Sequence, residues 1–177
     1  MKKRFLSFLL LFSFAFNVLA QEKEARLIGE LGVNPCGHML MYLDGIYNEW
    51  QNSQNSKIYV VYYGGRFRKT TFWDKKTKVN KIRLKNPHRD DALNRAKAIP
   101  LYLTTQEGFP AEIRNSLKNK IILINGGFRQ DFGMEIWLVP TGAALPEPTP
   151  TIDEKNVKFR NGKPSGTPDY KRCYDAY

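Results

Sequence analysis

Histidine and cysteine are scarce in this chain. There are two of each, and Cys36, His38, His88 and Cys173 share no ligand spacing. A protein zinc site needs three or four grouped ligands, so no metal and no other cofactor is expected. Nucleophile motifs are missing too: there is no G-x-S-x-G, and no Cys-His-Asn order in a plausible context. The chain is therefore read as a non-enzyme. An envelope hydrolase built from Asp131 and Glu135 is kept as the lesser alternative. Acids are short, 17 against 28 Lys and Arg. Long apolar runs are confined to the first twenty residues. No later stretch approaches the ~20 residues a membrane-spanning helix needs, so no transmembrane segment is expected once that leader is removed.

The leader has a basic head (Lys2, Lys3, Arg4), an apolar core (Phe5 to Phe16) and small residues at Val18-Leu19-Ala20. That is the form of a secretory signal, residues 1–20, which predicts an exported protein, periplasmic or secreted. The exported form begins near Gln21. The leader takes three cations and no acids with it, leaving 25 against 17 and a net charge of +8. In an oxidising compartment Cys36 and Cys173 are expected to form one disulfide tying the tail to the first helix. Closing so long a loop contributes about 4–5 kcal/mol in the chain-entropy model.

Ala25–Leu31 partly alternates and suits a short strand. Asn34-Pro35 then offers an N-cap and a first-turn proline. Met39, Leu43, Ile46 and Trp50 recur at helical spacing, which predicts a helix over 35–51. Ile58–Tyr63 is wholly β-branched or aromatic, hence a strand. Residues 66–85 form a basic insert with nine Lys or Arg against Asp74 alone, a net +8 that equals the charge of the whole exported form. Thr70–Trp73 and Val79–Leu84 read as the arms of a protruding hairpin turning at 74–78. Asn86-Pro87 repeats the cap-then-proline start, predicting a second helix from Pro87 to about Thr105 that Pro100 bends or splits. Ala111–Leu117 suits a further helical turn. Ile121–Ile124 and Ile136–Val139 are apolar runs separated by a Gly-rich stretch, and read as a buried hairpin. Pro146, Pro148 and Pro150 mark an extended linker, and residues 152–177 read as a surface tail held chiefly by Cys173.

The resulting order is β-α-β-α-β-β. It predicts an α+β fold: a mixed four-stranded sheet with helices on one face. The domain spans 21–142, and linker and tail take 143–177.

The second helix carries a resemblance. Arg95-Ala96-Lys97-Ala98-Ile99-Pro100-Leu101-Tyr102-Leu103, followed by Gly108-Phe109-Pro110-Ala111-Glu112-Ile113, resembles the RA-x-x-V-x-x-YL…GIPA-x-x-I stretch of OmpA-like, peptidoglycan-associated domains. Glu135-Ile136-Trp137-Leu138-Val139 stands where that family has its last strand. The chain is also similar to small exported bacterial proteins with YGGR, GGYR and ELWLVP-type phrases. The resemblance implies a peptidoglycan-binding module in which a carboxylate after the second strand and the Arg of the RA pair hold diaminopimelate. Arg95 matches that Arg. Gly64-Gly65-Arg66-Phe67 stands in place of the expected G-H-T-D type turn.

From the residues alone, two strands each run into Gly-Gly with an Arg just beyond: Gly64, Gly65 and Arg66, and Gly126, Gly127 and Arg129. Parallel strands would bring both to one sheet edge beside the second helix, where ligands of open sheets collect. One reading is an anion-binding rim of Arg66, Arg89 and Arg129 there, with Arg95 as the fourth ligand-binding candidate; the other is that the glycines only allow tight turns and the arginines are solvated. The partner is read as an anionic envelope polymer, with a second envelope protein as the alternative; nucleic acid does not suit the compartment. Asp90-Asp91 and Asp153-Glu154 are acid pairs, the first read as serving a helix start.

Overall fold

A computed structural model describes residues 24–32 and 36–168. The expected signal segment, the Asn34-Pro35 helix start and the Cys36–Cys173 disulfide lie outside the described residues. The order is β1 (Arg26–Leu31), α1 (Cys36–Gln51), β2 (Ser56–Gly65), β3 (Arg68–Asp74), β4 (Val79–Lys85), α2 (Asp91–Ala96), α3 (Ala98–Thr105), α4 (Ala111–Leu117), β5 (Ile121–Arg129) and β6 (Gly133–Pro140), with a 3-10 turn at Glu154–Asn156.

The main sheet is four-stranded and mixed, in the order β1-β6-β2-β5. β6 is antiparallel to both β1 and β2, and β2 is parallel to β5. Alternate residues of β2 explain the layering. Ile58 and Val60 face the helices and join Leu43 and Trp50 of α1, Ala96 of α2, Leu103 of α3 and Leu117 of α4 in one core. The Trp50 indole N–H closes the α1–β2 corner by donating to the Ser56 carbonyl at 3.1 Å. Tyr59, Val61 and Tyr63 alternate with these residues onto the other face and are also buried.

Three expectations need correction. First, β5 and β6 are not a hairpin. They lie on either side of β2, so residues 130–132 cross over its end. Two strand spacings are only about 10 Å, which a three-residue link covers as easily as it makes a turn. Second, the second helix starts at Asp91 rather than Pro87, and Asn86 does not cap it. It divides at Lys97, three residues before Pro100. A proline ring excludes the carbonyl four residues back, which belongs to Ala96, the last residue of α2. Pro100 itself then falls in the first turn of α3, where its missing N–H costs nothing. Third, the tail expected to be held chiefly by Cys173, which lies outside the described residues, has backbone anchors of its own within them. The Thr151 and Ile152 amides both donate to the Phe128 carbonyl (2.9 and 3.0 Å), and the Arg160 amide donates to the Pro87 carbonyl at 3.0 Å.

The crossover needs glycine beneath it. A Cβ on Gly65 would lie 2.6 Å from the Phe132 amide nitrogen and 3.1 Å from the Phe67 carbonyl oxygen, both backbone atoms. Gly65→Ala should therefore destabilise by about 1–3 kcal/mol through overpacking. Gly45→Ala, on the exposed side of α1 with nothing within 4 Å, should stabilise by about 0.5–1 kcal/mol. Urea denaturation of the two variants reads both signs; equal midpoints would contradict the steric account.

Candidate functional site

A cavity of about 290 Å³ opens at the end of β2, under the crossover and against the start of α2. Gly64 and Gly65 form its floor, and Phe67, Phe128 and Phe132 its apolar wall. Arg68, Lys69, Arg89 and Arg95 bring four positive charges, and Asp91 and Asp131 two carboxylates. Each comes from a different local cause. Arg68 and Lys69 begin the basic ribbon as β2 leaves the sheet. Arg95 lies one helical turn after Asp91 on α2, with its guanidinium 5.0 Å over the Phe132 ring. Asp131 rides on the crossover and pairs with Lys69 at 2.8 Å.

Gly64-Gly65 and Gly126-Gly127 do share one end of the sheet, since Gly64 pairs with Phe128 and Gly65 with Arg129. They lie within the strands rather than in turns. The Phe128 ring fills the space over Gly64, and the Tyr63 ring fills the space over Gly126. Gly127 has φ +84° and receives Pro150 of the tail.

Of the four expected arginines, Arg89 and Arg95 line the cavity, and Arg66 and Arg129 do not. Arg66 sits 5.5 Å from the Phe67 ring centre, and its amide binds the Arg129 carbonyl at 3.0 Å. Arg129 lies on the sheet face away from the helices, 3.5 Å over the Tyr63 ring, bonded to Glu135 and Thr149. Glu135 there also accepts from the Tyr63 hydroxyl at 3.0 Å. Asp131 lines the cavity while Glu135 belongs to this cluster, so the two acids of the hydrolase reading sit in different surroundings.

Sequence reasoning missed Arg68 as a site residue, and it missed the part played by the tail. Past Gly127 the chain turns around the β5 edge. Phe159 packs on Phe128 and takes the Arg89 guanidinium at 4.4 Å, while Arg89 also pairs with Glu154. Ser165 then reaches the rim. Its amide donates to Asp91 Oδ1 at 3.0 Å, its carbonyl accepts from Asn94 at 2.7 Å, and its hydroxyl meets Arg68. Asp91 Oδ2 accepts from the His88 amide at 3.0 Å. Burial pushes the Asp91 carboxyl up, but the His88 and Ser165 amides and the Arg68 and His88 charges outweigh it and hold the pKa below the ordinary value. The start of α2 is thus already occupied by a carboxylate of its own. No protein-family model, curated protein or solved structure matches the chain.

Because the folded pKa of Asp91 is depressed, its contribution is complete above the unfolded carboxylate's value of about 3.9 and is lost as pH falls through the lower folded value. Asp91→Asn should cost about 1.5–3 kcal/mol at neutral pH and make the tail more open to trypsin at Arg160, which is followed by Asn161. The stability gap from the wild type should narrow below about pH 4. Urea midpoints at neutral and acid pH check this, and a gap that does not move with pH would refute the linkage.

Proposed function

We propose that this chain is a non-catalytic, exported module of OmpA-like fold that takes a charged side group of an anionic envelope polymer, of the peptidoglycan kind, into the cavity at the end of β2. The observation that carries this reading is the cavity's mixed charge: three arginines and Lys69 facing two carboxylates between aromatic walls. A group bearing both carboxylate and ammonium, such as the end of a diamino acid, is complementary to that set. Arginine suits the carboxylate because its planar fork donates two parallel hydrogen bonds. The element order, the mixed sheet and the place of Arg95 in the cavity wall support the OmpA-like part of the reading.

The carboxylate absent after β2 has a spatial substitute. The Asp131 carbonyl carbon would lie 3.2 Å from a Cβ on Gly65, so the crossover carries an acid to the end of β2 although the sequence places none there. In this reading Arg95 holds the ligand carboxylate and Asp131, released from Lys69, takes the ammonium. Arg68 has a different role: its Nη1 lies 3.8 Å from Asp91 and also meets Ser165, so it ties rim to tail.

Purified sacculi, stripped of lipid, test this directly. Wild type should be retained at low salt and largely released at about 0.5 M, where screening extends over only a few ångströms. Arg95→Ala should lower retention by about tenfold or more, the loss of one charge-assisted contact. Asp131→Asn should lower it less, with unchanged thermal stability because Asp131 is exposed. Retention that ignores Arg95 and salt alike would remove the proposal.

A further inference from the structure

The β3–β4 ribbon stands outside the main sheet, its two strands paired only with each other. In antiparallel pairs, directly opposed residues share a face. Trp73 faces Asn80, and Leu84 faces Lys69; Ile82, two residues from Leu84 and from Asn80, shares their side. That side therefore carries an apolar stripe of Trp73, Ile82 and Leu84, with 57, 66 and 55% of each exposed. The reverse side carries Lys81, Arg83 and Lys85, with Arg83 stacked 4.7 Å over Phe72. Lys75, Lys76 and Lys78 surround the tip, where Lys78 holds φ +53°. The one acid of the ribbon, Asp74, is engaged by Lys81 and by the Lys76 amide.

We propose that this ribbon docks on an anionic lipid bilayer, with the Trp73–Ile82–Leu84 stripe buried at the headgroup–acyl boundary and the cations among the phosphates. Isolated exposed apolar residues need no explanation, but here the three largest of one face are aligned and uncovered. A hydrated polymer would engage the cations and leave Ile82 and Leu84 in water. A bilayer surface satisfies both faces: an amphipathic element sinks about 5–10 Å into the boundary, and the long stems of Lys and Arg reach back to phosphate from either side of a thin ribbon. Trp at such a boundary keeps its indole N–H in the polar layer. Both outer edges of a two-stranded ribbon carry unpaired amides and carbonyls, which rules out deeper insertion into hydrocarbon and keeps the ribbon at the interface. The partner's negative charge follows from the ribbon's cation excess. The stripe and its cations Lys81, Arg83 and Lys85 do not line the cavity, so either site can fail without the other.

The test uses the form beginning at Gln21, which keeps the apolar leader out of the measurement. Vesicles of phosphatidylcholine with about 30 mol% phosphatidylglycerol should bind it about tenfold or more tightly than vesicles of phosphatidylcholine alone. The Trp73→Ser, Ile82→Ser, Leu84→Ser variant keeps every charge and should lose about tenfold or more of that binding. Replacing Lys81, Arg83 and Lys85 by Gln should abolish the preference for the anionic vesicles. Wild-type emission should shift to the blue and be quenched by brominated acyl chains, and Trp73→Phe should remove both signals. These spectra decide the matter even if the triple variant fails to fold. Anionic-vesicle binding that survives loss of the apolar stripe, or no vesicle binding beside self-association through the stripe, would overturn the proposal.

Discussion

The structure depends on the passage of residues 130–132 over the end of β2. Because the crossover clears Gly65, β6 can enter between β1 and β2 and β5 can take the far side. Two ring-over-glycine contacts hold that arrangement in register: Phe128 over Gly64 and Tyr63 over Gly126. They are reciprocal, each strand supplying one ring and one glycine, so a slip of β5 against β2 would set a ring against a side chain and a glycine against empty space. The same crossover brings Asp131 and Phe132 to the cavity. Fold and candidate site therefore rest on one steric allowance.

Much of the secondary structure was legible from apolar periodicity, since burial on one helix face or along a strand leaves a pattern in the chain. Strand neighbours leave no such pattern. Ile121–Ile124 and Ile136–Val139 are apolar whether they pair with each other or flank a third strand, and a short Gly-containing link serves both arrangements. What distinguishes them is steric: Gly65 and Gly126 were read as turn residues, whereas both lie within strands beneath other groups. Arg129 was misplaced for a related reason. Its neighbours Tyr63, Glu135 and Thr149 lie 66, 6 and 20 residues from it in sequence, and no local signal marks the cluster.

The tail was illegible because it is not apolar. It docks chiefly through backbone amides, an ion pair and the Phe159 ring, with Val157 its one buried aliphatic among the described residues, too little for hydropathy to register. The anchors at Thr149 and Ser165 lie on opposite faces of the sheet. Thr149 donates its amide to the Tyr63 hydroxyl at 3.1 Å on the face away from the helices, and Ser165 binds Asp91 on the cavity side. Between them Ile152 bridges Phe128. The chain thus crosses the edge of β5 at Phe128, covering that end of the strand edge, and connects the Glu135 cluster to the cavity rim through backbone.

Charge is distributed with equal economy of place. Residues 66–85, the ribbon with its approach, hold a net charge of +8 that equals the net charge of residues 21–177, so the field the molecule projects at a distance originates there, while the rest of that stretch balances to zero. Residue alternation within the ribbon was legible too, but the count of lysines and arginines concealed the apolar stripe running through them. Arg68 and Lys69 stand at the ribbon's base and also line the cavity, the first held by the tail and the second by Asp131. A ligand that drew Asp131 away from Lys69 would loosen the base of the ribbon on its apolar side. The pair is exposed on both partners, so it is a weak tie between the ribbon's base and the crossover.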